Sequence, residues 1–188
     1  SILWIQDRNM STLKVSTISP LGTDATKTIT IGSHSNGDVA AGIFTNTPSF
    51  FAYLSSNQSL STNTTTKAQC DTENWDTDSA YDNSTNYRFT VPSGKDGKYV
   101  FNAGSSVAYL DDGEYLQLFL YKNGSSINAF PVRQYSGGGD YQLTYSFSYT
   151  VSLVAGDYME LYIRHNEGAS QNAQPNFTYF SGHRLIGA

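Results

Sequence analysis

Two groups of acidic residues in this sequence are candidates for binding a metal ion, because of their residue type and spacing. Asp111, Asp112 and Glu114 fall close together in a predicted loop, and carboxylate oxygens are the ligands that Ca²⁺ prefers. They are candidate ligands of a structural Ca²⁺, or else ordinary solvated loop residues. The second group begins at Asp76 and fails as an EF-hand loop. Tyr81 replaces the turn glycine of such a loop, and Tyr87 replaces its bidentate glutamate.

The sequence lacks the patterns of common nucleophilic and metal-dependent catalysts. It contains no Gly-x-Ser-x-Gly motif. His34, His165 and His183 are far apart and lack the paired spacing of a metal-binding helix. His165 follows Ile163 by two positions in an alternating stretch, which favours a core or interface position. We therefore predict that the protein is not an enzyme and, apart from the Ca²⁺ candidate, uses no cofactor.

A glycine-rich loop with a tyrosine at each end is a candidate recognition surface. Tyr135 precedes a Ser-Gly-Gly-Gly run, and Asp140 and Tyr141 follow it. Aromatic rings stack on the CH groups of sugars, while polar side chains bond their hydroxyls. Tyr135, Asp140 and Tyr141 therefore form either a surface-recognition site or a plain connection between two strands.

The elements that would position these residues are predicted to be strands. Of the 188 residues 14% are aromatic and only 14% are charged, a composition that favours pleated sheets over helical bundles. Residues 141–153 alternate strictly between apolar and polar side chains. Further alternating stretches lie at 87–91, 99–103, 115–121, 158–166 and 177–186, with turn sequences such as Asn123-Gly124 between them. This spacing predicts an all-β sandwich or jelly roll.

Two of these stretches are apolar on both faces. Leu116, Leu118 and Leu120 share one face of residues 115–121, while aromatic residues lie on the other. Because a sandwich strand needs only one apolar face, the second face predicts a subunit interface and a homo-oligomer. The candidate interface residues are Tyr115, Phe119, Tyr121, Tyr158 and Tyr162.

Charge and composition exclude other classes and divide the chain. Eleven basic and sixteen acidic residues give a net charge of −5, without the basic cluster that nucleic-acid binding requires. No apolar run approaches the roughly 20 residues that span a bilayer, so no membrane insertion is expected. Residues 1–48 are small, polar and weakly patterned, and we expect an extended N-terminal arm there, followed by a domain at 49–188.

Residues 49–187 resemble the globular C1q-like domain of the complement C1q and tumour necrosis factor superfamily. The matching positions follow the family's order: Tyr81, Asp82, Thr85, Phe89, Val91, Pro92, Gly97, Tyr99, Phe101, Tyr121 to Gly124, Gly156, Asp157, and Phe180 to Gly182. The resemblance implies a ten-stranded jelly roll assembled as a compact homotrimer, and a binding or structural module. Cys70 and Trp75 depart from the family's usual residues.

Residues 10–32, MSTLKVSTISPLGTDATKTITIG, resemble the openings of tail-fibre and other virion proteins of marine bacteriophages. This resemblance implies a virion location, with the arm bound to other virion proteins and the trimer contacting a host surface glycan or protein as a tail-fibre or receptor-binding module. A capsid decoration or head-fibre protein with the same trimer is the alternative. A third is an adhesin or filament subunit at the cell surface or outside the cell, with residues 1–9 as a donor strand.

Overall fold

The computed structural model describes residues 46–127, 132–137 and 141–185. Over these ranges the chain forms fourteen strands and no helix, and therefore no helix that could cross a membrane. The strands are β1 (Ser49–Tyr53), β2 (Gln58–Leu60), β3 (Thr66–Lys67), β4 (Thr72–Asp76), β5 (Tyr81–Asp82), β6 (Arg88–Thr90), β7 (Gly97–Leu110), β8 (Tyr115–Lys122), β9 (Ser125–Ser126), β10 (Val132–Tyr135), β11 (Tyr141–Leu153), β12 (Tyr158–His165), β13 (Gln171–Ala173) and β14 (Tyr179–Arg184).

The strands form two antiparallel sheets. Sheet I has the order β2-β13-β7-β14-β1-β4, with β11 paired to the free side of β7. Sheet II has the order β10-β8-β12-β6-β5, with β3 added to β12 and β9 to β8. Neighbours in these sheets are mostly distant in sequence, as in β1 with β14, where Ser49 pairs with His183 and Tyr53 with Tyr179. The predicted all-β sandwich is confirmed, with its strands divided into more segments than the ten expected.

Strand β11 has the predicted bounds and the predicted alternation. It pairs along its length with β7, from Tyr141 opposite Leu110 to Leu153 opposite Gly97. Its apolar side chains face the space between the sheets: Leu143 and Leu153 are buried, while Tyr145, Phe147, Tyr149 and Val151 are partly buried against the core. Since no described strand pairs with its other side, β11 forms one edge of sheet I.

Aromatic rings fill the centre of the sandwich. Phe50 of β1 stacks on Phe89 at 5.0 Å between ring centroids, and Phe101 of β7 stacks on Phe180 of β14 at 5.6 Å. All four rings are at most 1% exposed. Gly182 lies beside them without a side chain, and a Cβ there would be 2.6 Å from Phe101. The aromatic composition therefore supplies the core that joins the two sheets.

The predicted arm, residues 1–48, lies outside the described residues up to position 45. It stays a prediction, although β1 does begin at Ser49, the predicted first residue of the domain.

Candidate functional site

The predicted interface residues lie on β8 and β12 of sheet II, and the structure brings most of them together. Phe119 pairs across the strands with Tyr162, and the rings of Tyr121 and Tyr162 stack at 4.1 Å. Phe119, Tyr121, Tyr158 and Tyr162 are half-buried. Tyr115 is only 8% exposed, so its ring offers little surface to another subunit. The outer face of sheet II is thus an aromatic surface, as predicted, and its role as an interface stays a prediction.

Charged groups are interleaved with these rings. Nζ of Lys67 is 2.5 Å from Oε1 of Glu160 and lies over the Tyr162 ring, 5.8 Å from its centroid. The guanidinium of Arg88 lies over Tyr158 at 4.1 Å. Formal charges are depleted from the cores of protein interfaces because their desolvation is costly. The outer face of sheet II therefore combines its aromatic rings with charged groups, of which Glu160 is buried beside Lys67.

The outer face of sheet I carries a second aromatic cluster, which sequence reasoning missed. Phe51 of β1 contacts Trp75 of β4 at 5.3 Å between centroids and stacks on Tyr179 of β14 at 5.7 Å. The ring of Tyr179 lies over Gly104 of β7, where only a glycine leaves it room. Trp75 is 50% exposed, although its ring contacts Phe51.

A shallow cleft of about 280 Å³ lies beside this cluster. Phe51 and Trp75 form one part of its wall, and Asn102, Ser181 and His183 contribute polar groups. None of its lining residues is Lys, Arg, Asp or Glu. The cleft is therefore a concave surface that combines aromatic rings with polar side chains and contains no Lys, Arg, Asp or Glu, unlike the outer face of sheet II.

The sequence did hold a signal for this cluster. Phe50 and Phe51 are adjacent, so in a strand they must point to opposite faces, and both faces of β1 must be apolar. The same reasoning predicts that residues 115–121 are apolar on both faces. Trp75 stood out only as a departure from the family pattern.

The candidate Ca²⁺ ligands do not form a metal site in the structure. Asp111 and Asp112 are exposed and Glu114 is half-buried. The backbone N–H of Asp111 donates to Oε2 of Glu167 at 2.9 Å, and the buried Oε2 of Glu114 has no hydrogen-bond partner. Across the described part of the chain, no three His, Cys, Asp or Glu side chains are grouped to hold an ion. The Ca²⁺ site stays a prediction.

The second acidic group stabilises its own turns. Oδ1 of Asp82 accepts from the backbone N–H of Thr85 at 2.9 Å and of Ser84 at 3.1 Å, and Oδ2 accepts from Asn86. These bonds, with that of Thr85 the strongest influence, hold the pKa of Asp82 well below its usual value. Asp76 likewise accepts from the backbone of Tyr81. Turn formation accounts for both carboxylates.

The remaining candidates divide between buried and undescribed positions. His165 is fully buried, with Nε2 3.0 Å from the carbonyl oxygen of Leu60, so of the predicted core or interface positions it has the core one. The side chains of the recognition candidates Tyr135, Asp140 and Tyr141 lie outside the described residues, as does His34.

No family model and no curated protein matches this sequence. Solved structures do match the fold. The Eiger tumour necrosis factor of S. frugiperda superposes with a TM-score of 0.52 at 15% identity, covering 75% of this chain and 95% of that one. The chain has a C1q/TNF-like jelly-roll fold. The globular domain of the zebrafish complement 1qA protein also matches, with a TM-score of 0.48 and 17% identity over 73% of this chain and 96% of that one.

Proposed function

We propose that this jelly roll is a non-catalytic module that associates with copies of itself through the outer face of sheet I. The observation that carries the proposal is the different chemistry of the two outer faces. Sheet II combines its rings with Lys67, Arg88 and Glu160, whereas the cleft beside Trp75 on sheet I is lined without a charged residue. An uncharged aromatic surface loses the least on desolvation and gains the most from burial.

The edge strand β11 offers a second surface for association between copies. Tyr145, Phe147 and Tyr149 pack against the core but remain partly exposed at the open side of the sandwich. When a face of one copy meets an edge of the next, the contact joins two different surfaces. Such contacts close into rings if the rotation between copies allows it. A ring of three agrees with the homotrimer that the C1q-like sequence motifs imply.

Sedimentation equilibrium tests both the assembly and the face that forms it. We expect a mass three times the 20.6 kDa of the single chain. Trp75→Asp should shift the mass towards the monomer, because a buried unpaired carboxylate is costly. Phe119→Asp is the matched variant on sheet II and should leave the trimer intact. Dissociation by Phe119→Asp alone would instead establish the interface first predicted from the sequence, and a monomeric wild-type chain would refute both.

For the biological setting we propose a bacteriophage virion, with the trimer at the tip of a tail fibre. The phage-like residues 10–32 support this, and the proposed arm would bind other virion proteins. The trimer would contact a host surface glycan or protein through several weak sites at once.

Adsorption assays test the tail-fibre role. The isolated trimer should block attachment of phage particles to host cells, and labelled antibody should mark the tail in electron micrographs. Labelling of the capsid lattice would show a decoration or head-fibre protein instead. Absence from particles, together with residues 1–9 inserted in a neighbouring copy, would show a cellular filament.

A further inference from the structure

Strand β7 contains a bulge shortly before its end. Leu143 of β11 pairs with Val107, whereas Tyr141 pairs with Leu110, so two residues of β7 stand opposite Gln142 alone. The bulge turns both Val107 and Leu110 into the core, where each is fully buried. Between them Tyr109 takes a left-handed backbone conformation, with φ of 60°. The bulge therefore has a packing role that depends on Val107 and Leu110 rather than on the side chain at 109.

A tyrosine is an unfavourable residue for this conformation. Left-handed backbone is strained for residues with a bulky side chain and is readily adopted by Gly and Asn. At most other described left-handed positions this chain has those residues, among them Gly113, Gly124, Asn63, Asn123 and Asn176, and the exceptions are Ser79 and Tyr87. Glycine at 109 would adopt this backbone conformation with less strain.

The Tyr109 ring also contributes little to the fold. It is 64% exposed, more than the exposed Trp75, Val154 and Phe177. No described residue stacks on it or forms a hydrogen bond with its side chain. Exposed tyrosines are common anchors of protein interfaces, because they bury a large rigid ring at a low cost in entropy.

The charge around this ring indicates what kind of partner fits. The next residues form a turn with Asp111, Asp112 and Glu114, and Glu167 of the neighbouring turn bonds to it through the N–H of Asp111. We call residues 109–114 with 166–167 the β7–β8 tip. The tip contains four carboxylates and no Lys or Arg. Asp111 and Asp112 are exposed, Glu114 is half-buried and Glu167 is buried. An aromatic face beside carboxylates attracts an arginine or lysine side chain through cation–π and ionic contacts.

We propose that the β7–β8 tip is a docking surface for a protein segment that exposes arginine or lysine side chains, with the ring of Tyr109 as its anchor. The tip is separate from the aromatic cluster of Phe51, Trp75 and Tyr179, so this proposal does not depend on the proposed trimer.

A labelled hexa-arginine peptide is the probe, titrated by fluorescence anisotropy against the full chain at low and physiological salt. Tyr109→Phe keeps the ring and should bind like the wild type. Tyr109→Leu keeps an apolar side chain but loses the ring face, and should weaken binding about fivefold. Asp111→Asn should weaken binding and reduce its salt dependence. Asp78→Asn removes the same charge from a different turn and should have no effect.

Two further measurements exclude a structural explanation. Tyr109→Gly should raise the urea midpoint of unfolding, because it relieves backbone strain, and should weaken peptide binding, because it removes the anchoring ring. None of these variants should change the sedimentation mass.

Three results would overturn the proposal. They are binding of the peptide by Tyr109→Leu as tightly as by the wild type, weakening by Asp78→Asn as large as that by Asp111→Asn, and a urea midpoint of Tyr109→Gly below that of the wild type. A changed mass in the Tyr109 variants would assign the ring to contacts between copies instead.

Discussion

A methyl group added at Gly182 measures how tightly the aromatic core is packed. The new Cβ would lie 2.6 Å from Cδ1 of Phe101 and 3.1 Å from Cε1 of Phe50, well inside van der Waals contact. Neither ring can swing away, because both are at most 1% exposed and contact other buried rings. Overpacking of this kind costs about 1–3 kcal/mol, and the reduced entropy of the unfolded chain offsets ~0.4–1 kcal/mol. We expect Gly182→Ala to lower the free energy of unfolding by about 1–2 kcal/mol.

Gly104 provides the matched control, because its added methyl group meets a ring that can move. The nearest atoms to a Cβ at Gly104 all belong to the ring of Tyr179, the closest at 2.5 Å. Tyr179 is half-buried on the outer face of sheet I, so its ring can rotate towards solvent. It would lose its stacking on Phe51, worth about 0.5–1.5 kcal/mol, and the entropy gain offsets most of that loss. We expect a net change in unfolding free energy within about 0.5 kcal/mol.

Urea titrations followed by fluorescence, at one fixed protein concentration, measure both variants. An unchanged m-value shows that the midpoints report stability. The packing argument fails if Gly104→Ala costs as much as Gly182→Ala, or if Gly182→Ala costs nothing. Gly104→Ala carries a second expectation. Because it displaces Tyr179 from the proposed association face, it should shift the sedimentation mass towards the monomer, whereas Gly182→Ala should not.

Three more predictions concern charge, the cysteine and Ca²⁺. The hydrogen bond from Lys122, followed by that from Asn123, lowers the pKa of Asp157 to about 2. The ionised Asp157 therefore contributes to the free energy of unfolding above about pH 4, and this contribution is lost as the pH falls towards 2. Asp157→Asn should therefore lower the free energy of unfolding by less than about 1 kcal/mol at pH 7, and its urea midpoint should depend less on pH between about pH 4 and 2 than that of the wild type. Burial raises the pKa of Cys70 to about 12, so a maleimide should label it at pH 8 only after unfolding; labelling of the native chain would contradict its burial. Chelation of divalent cations should leave the thermal midpoint of unfolding unchanged. If chelation lowers the midpoint of the wild type but not that of Asp112→Asn, the predicted Ca²⁺ site is supported instead.

Sequence patterns predicted β8, β11 and β12 well because the information for these strands is local, whereas only residues 99–103 of the longer β7 were predicted. The alternation from Tyr141 to Leu153 is complete, and the structure gives β11 those same limits. The apolar side of β8 is likewise visible in Leu116, Leu118 and Leu120. One face of such a strand must be buried, whichever strands become its neighbours.

The aromatic cluster of sheet I could not be predicted in the same way. Phe51, Trp75 and Tyr179 come from three short strands that are far apart in sequence, and they meet only because β1 lies between β4 and β14. No local pattern states which short strands will be neighbours. The charge difference between the outer faces was hidden for the same reason, because the Lys67–Glu160 pair joins β3 to β12.

The pairing of β1 with β14 has a consequence for how the chain reaches its native state. Residues 49–53 are made early, yet they need residues 179–183 to complete the middle of sheet I. Until then β1 lacks one neighbour, and β7 lacks the strand that later pairs with residues 99–104. Contacts of such long range make folding slow, and unpaired strand edges bind other chains. A growing polypeptide must therefore protect these edges until β14 has emerged, and truncation before Tyr179 should yield aggregates rather than a smaller domain.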